Sequence, residues 1–152
     1  MSTINGLPLH PLLVHFIVVL APLTAVLAIL CAVWPAARQR LVWLVLALSV
    51  TLAVLTPVTT EAGEWLQHKV GKSPKLHNHT ELGDTMIYFA LALLIGTVLL
   101  AVMHVRERRG TPLSTVLSAV VAGFVLIASV STVVQVYRIG DSGARATWGR
   151  MP

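Results

Sequence analysis

Residues 12–41, LLVHFIVVLAPLTAVLAILCAVWPAARQRL, decide the fold. From Leu12 to Val33 there is no Asp, Glu, Lys or Arg, and the run reaches the ~20 apolar residues a helix needs to cross a bilayer. A short link carrying Arg38 and Arg40 follows, and a second apolar run opens at once with Leu41. In lipid each backbone polar group must be satisfied inside a helix or a closed barrel. Apolar run, basic turn and apolar run therefore read as a helical hairpin. The pattern returns with Met86–Val105, a link holding Arg106, Arg108 and Arg109, and Leu113–Tyr137. Spans are expected at about 12–33, 41–59, 86–105 and 113–137. Together they make an all-α, integral membrane four-helix bundle built of two helical hairpins, one transmembrane domain over residues 1–152.

Composition agrees. The chain is 56% hydrophobic and 11% charged with mean hydropathy +0.82, whereas soluble domains are about a quarter charged. A pI of about 10.2 would point to nucleic acid in a soluble protein. Here no basic and aromatic residues interleave on one face, so no nucleic-acid partner is expected. The arginines packed into the two tight links place those links in the cytoplasm and both termini outside. Lys69, Lys72, Lys75, Arg138, Arg145 and Arg150 fall on the outer side, but spread out and interrupted by acids. The stretch before the first span lacks Lys and Arg, which argues against a cleaved signal peptide.

Local signals mark the ends. Asn78 with Glu81 three residues later reads as a cap opening the third helix, and Gly110 with Pro112 as the break between the third and fourth. Gly140 and Gly143 read as a turn after the fourth helix, with Trp148 as an interfacial anchor. Small-residue stripes at Ala21, Ala25, Ala28 and Ala32, and at Ala119 with Gly123, are expected to seat neighbouring helices. The single cysteine, Cys31, reads as a small packing residue. Each half has a helix opening near histidine, an arginine-bearing turn and a helix ending in polar residues, a weak pseudo-repeat.

The polar residues are one-sided. His10, His15, His68, His77 and His79, with Glu61, Glu64, Glu81, Asp84 and Asp141, gather at the outer ends, and only His104 lies inside. Counting along the spans at 1.5 Å per residue puts His15, Glu61, Asp84 and Gln135 at one height on four helices. His10, Glu64, Tyr137 and Arg138 lie one level further out, with His77 and His79 beyond. Histidines and carboxylates converging on a membrane bundle point to a functional pocket, against the plain alternative of a solvated bundle mouth.

Four readings follow. The first is b-type haem for electron transfer, with His15 and His79 as axial ligands, His10 as alternative ligand or orienting partner, and Arg138 and Arg145 on the propionates. Its difficulty is that His15 and His79 differ by about eight positions, roughly 12 Å along the axis, a gap that His10 narrows. The second is a zinc or copper ion held by His10, His15, His79, Glu61 and Asp84. The third is a proton or ion path through His15, Glu61 and Asp84, for which the inner half offers few further polar groups. The fourth is an accessory subunit of a larger membrane complex, with no chemistry of its own. An enzyme is not expected, and the partners expected are the lipid bilayer, a redox protein or larger complex, and a second copy of the chain.

The stretch GLPLHPLLVHF (6–16) resembles the opening of a family of small bacterial membrane proteins, domain of unknown function 2231. The likeness continues through AGEW (62–65), His79 and VYRIGDSGA (136–144), and so runs along nearly the whole chain, the first motif being the specific one. Ile17 stands where many members carry proline. The resemblance implies a four-helix domain of the bacterial inner membrane and singles out His10, His15 and His79. Related domains fused to cytochrome-like modules incline the expectation towards haem.

Overall fold

The computed structural model describes residues 3–4, 7–71 and 73–149; Lys72 and Arg150 lie outside them. A two-residue antiparallel pair, β1 (Thr3–Ile4) with β2 (Leu7–Pro8), precedes α1 (Leu9–Val33). Then come α2 (Pro35–Val70), α3 (Pro74–Asp84), α4 (Met86–Arg108) and α5 (Thr115–Trp148). Among the described residues four helical stretches are long and apolar enough to cross a membrane, α3 and α4 counting as one. The protein is an all-α membrane bundle. α1 packs on α2 and α5, and α4 packs on the same two, so the long helices form a closed ring with α1 and α4 on its diagonal.

The end of the bundle where α1 meets α2 is tightly made. Only Trp34 separates α1 from α2, and Pro35 occupies the first turn of α2, where its missing donor costs nothing. Arg38, placed by the sequence in the link between the two spans, lies in α2 and is buried. Its Nη1 donates to the Cys31 carbonyl at 2.7 Å, and its Nε and Nη2 donate to the two Glu107 carboxylate oxygens at 3.2 and 2.7 Å. One guanidinium thus caps the last turn of α1 and ties α2 to α4. At the far end of α4, Gly110 takes the left-handed conformation (φ 72°), as the break read at this glycine requires.

The core is built from small side chains. Ala21, Ala25, Ala28 and Cys31 are fully buried on α1. Gly96 on α4 sits so close to α5 that a Cβ there would lie 3.2 Å from Val125 Cγ2. The stripe expected at Ala119 and Gly123 does not pack: Ala119 is exposed and a Cβ at Gly123 would touch nothing. Phe16, Val19, Val26, Val116 and Ile127 point outward, the inside-out pattern of a chain whose solvent is lipid. His104, set apart from the other histidines, is buried, its ring edge-on to Trp43 at 6.0 Å between centres.

Helix boundaries at the opposite, histidine-bearing end differ most from the sequence reading. α2 and α5 run on well past their apolar spans. Gly140 and Gly143 do not turn the chain; α5 continues through both to Trp148. The third helix starts not at Asn78 but at Pro74, with Ser73 as cap, its Oγ accepting from Leu76 N at 3.2 Å. A break at Thr85 separates α3 from α4. Gln135 of α5 closes it, its Nε2 donating to the Leu82 carbonyl at 3.0 Å and to Thr85 Oγ1 at 2.8 Å. These extensions carry polar residues in helical register beyond the apolar zone, and that positions the site.

Candidate functional site

His10 opens α1 and His79 lies mid-way along α3. The structure brings the two together from separate hairpins, with ring centres 6.3 Å apart and planes at 81°. His10 Nδ1 is 2.9 Å from the Thr59 carbonyl on α2. A carbonyl only accepts, so Nδ1 carries the proton and Nε2 keeps a bare lone pair. His79 reaches the same state by one more step. Its Nδ1 is 2.9 Å from Ser142 Oγ, whose own hydroxyl donates to the Ile139 carbonyl at 2.8 Å. Ser142 therefore accepts from His79 Nδ1–H, and His79 Nε2 is likewise bare. Neither Nε2 has a hydrogen-bond partner among the described residues. A ring nitrogen held by an oxygen, with the other left without a partner, is the usual preparation of an imidazole for ligation.

Each ring also has a glycine behind it. A Cβ at Gly63 of α2 would lie 2.8 Å from His10 Cε1, and one at Gly143 of α5 would lie 3.0 Å from His79 Cε1. The first is closer than a Cβ tolerates unless the ring shifts, and the second is tight enough that the ring must give by a few tenths of an ångström. The glycines are needed for close approach inside a helix, where they otherwise cost stability.

The two imidazoles line a cavity of about 200 Å³ bounded by α1, α2, α3, the first turn of α4 and α5. Its walls hold Ile17, Leu66, Leu76, Met86, Val136 and Ile139. Several threonines also line it, but their hydroxyls are already used. Thr56 and Thr59 donate to carbonyls four residues back on α2, Thr60 does the same, and Thr80 donates to the Leu76 carbonyl and to Gln67 Oε1. The pocket is largely apolar, with the Gln67 amide and the two imidazole rings as the rest of its polar lining.

The other candidates lie elsewhere. His15 is exposed, its Nδ1 turned back to the Pro11 carbonyl one turn earlier on α1. Five residues from His10 put it on the lipid-facing side of the same helix. Glu61, Glu64 and Asp84 are exposed. Arg138 is exposed, and Arg145 Nε donates to Asp141 Oδ2 at 2.9 Å, one turn away on α5. Among the described residues no three His, Cys, Asp or Glu side chains gather as a metal-ion site; the set His10, His15, His79, Glu61 and Asp84 is not assembled. Sequence reading had passed over Gly63, Gly143, Thr59 and Ser142. The available signal was the parallel of EAG (61–63) and DSG (141–143), each an acid, a small residue and a glycine near the end of a hairpin's second helix.

Residues 6–151 match the family described as "Predicted membrane protein (DUF2231)". No curated protein matches, and no solved structure does. The chain belongs to this DUF2231 family of predicted membrane proteins.

Proposed function

Taking membership of that membrane family as the premise, we propose that the protein holds a b-type haem between His10 and His79 and serves electron transfer at the membrane. The observation that carries the reading is the spacing of two prepared imidazoles. With a metal–nitrogen bond of ~2.05 Å, as for zinc–histidine, and a ring nitrogen about 1.1 Å from its ring centre, as bonds of ~1.33 Å dictate, two imidazoles that held one metal between them would have centres up to about 6.3 Å apart. The rings stand at 6.3 Å. Two protein ligands suit a metal whose other positions come from a macrocycle. A bare zinc ion takes three or four protein ligands, and the described residues gather no such group, so the haem reading is favoured over the metal-ion one. An apolar wall with its hydroxyls already bonded suits a flat, largely apolar ligand. The cavity, about 200 Å³, is smaller than the ~300–1,000 Å³ of pockets that enclose a ligand fully. A haem held there would keep an edge outside, where it would exchange electrons with a redox partner.

In this reading the His10–His79 end faces away from the cytoplasm, with both termini on that side. Pairing of Arg38 with Glu107 leaves Arg40, Arg106, Arg108 and Arg109 as the exposed charges of the opposite end, the side that positive charge holds in the cytoplasm.

The test is hemin titration of the purified protein in detergent, with dithionite reduction. A stoichiometric Soret band with low-spin six-coordinate character is expected, lost in His10→Ala and in His79→Ala and kept in His15→Ala. Absence of binding in the wild type, or equal loss in His15→Ala, refutes it.

A further inference from the structure

The two halves match more closely in space than in sequence. Behind His10, Gly63 presents its missing Cβ first to Cε1, then to Nδ1, then to Nε2; behind His79, Gly143 meets the same three atoms in the same order. The carbonyl that orients His10 belongs to Thr59, four residues before Gly63. The carbonyl that orients His79 through Ser142 belongs to Ile139, four residues before Gly143.

Counting inward from these anchors keeps the halves in step. On α1 and α4, Ile17 matches Met86, Ala21 matches Ala90 and Ala28 matches Thr97, all six buried. On α2 and α5, Ser49 matches Ser129 and Thr56 matches Val136, again all buried. The packing matches too, since exchanging α1 with α4 and α2 with α5 turns the α2–α4 contact into the α5–α1 contact.

This register accounts for an otherwise odd atom. Ser49 Oγ and Thr97 Oγ1 are 2.6 Å apart across α2 and α4. Ser129 Oγ is buried with no partner among the described residues. In the matched contact of α5 on α1, the place of Thr97 is taken by Ala28, which has no hydroxyl to offer.

We infer that the pocket consists of two equivalent half-sites, one per hairpin, and that Gly63 and Gly143 are their positioning residues. Each half-site is an imidazole, a glycine that lets a helix backbone lie against it, and a carbonyl one turn before that glycine. The pair is therefore built to grip one ligand from opposite sides with the same group. The inference rests on reading His10 and His79 as the working pair, and adds what holds them at their spacing.

Double-mutant cycles on the full chain in detergent, without hemin, test it by thermal unfolding. Gly63→Ala is expected to lower the melting temperature, and to lower it much less in His10→Ala, where no ring remains to displace. Gly143→Ala behaves the same way with His79→Ala, while the crossed pairs Gly63 with His79 and Gly143 with His10 are additive. Coupling in one hairpin only, or in the crossed pairs, overturns the inference. A second cycle is independent of the pocket: Ala28→Ser is expected to be better tolerated with Ser129 present than in Ser129→Ala. Equal effects in both backgrounds overturn the register. Failure of the wild type to bind hemin would sink the haem reading and leave these cycles to judge the half-sites.

Discussion

Arg38 offers the sharpest test of how the two hairpins are tied together. Arg38→Met keeps the aliphatic bulk and removes the charge. The side chain of Arg38 is 5% exposed and that of Glu107 29%. Removing one member of a buried pair costs roughly 3–5 kcal/mol, because the other is left as an uncompensated charge. Glu107 retains some access to water, which puts the cost at the lower end, about 3 kcal/mol. For a chain of this size that is a fall of roughly 6–12 °C in melting temperature. The double variant Arg38→Met with Glu107→Leu removes both desolvated charges and should recover most of the loss. It should stay slightly below wild type, because the Cys31 carbonyl loses its 2.7 Å donor at about 1 kcal/mol. Tryptophan fluorescence during heating in detergent is the assay. A drop of under about 2 °C in Arg38→Met, or a double variant as unstable as the sum of the singles, would show that this contact does not hold the hairpins together.

Three further outcomes follow from the packing. Gly96→Leu should destabilise by about 1–3 kcal/mol, because even a Cβ would press on Val125; unchanged melting would mean that α4 and α5 are not in close contact there. His104→Leu should be neutral or stabilising, since His104 Nδ1 is buried without a partner and an apolar group of similar size avoids its desolvation cost. A marked loss of stability would reveal a partner for that nitrogen. Ser73→Ala removes the cap of α3 at a cost of about 1 kcal/mol, and hydrogen exchange should rise in α3 well before α1; uniform protection would place the start of α3 elsewhere.

The class of the fold was legible in residues 12–41 and their later echo, because hydrocarbon leaves a backbone so few choices that long uncharged runs and tight arginine links name a helical bundle. That one end of the bundle is histidine-rich was equally plain from composition along the chain. Sequence could not choose between His10 and His15, since depth counting assumes level spans and says nothing of which way a residue faces. Five residues on a helix turn a side chain by well over a quarter circle, and that rotation puts His10 against α2 and His15 on the outside. Nor could it read the glycines. Gly140 and Gly143 look like a turn to any local rule, yet Gly143 sits mid-helix because the space its side chain would fill is taken by an imidazole from α3, a contact between residues far apart in the chain. What the sequence determines alone is what each segment must do with its own backbone in lipid. Which side chains from different segments meet is decided only when the helices pack, because close approach depends on the rotation and depth of both partners at once.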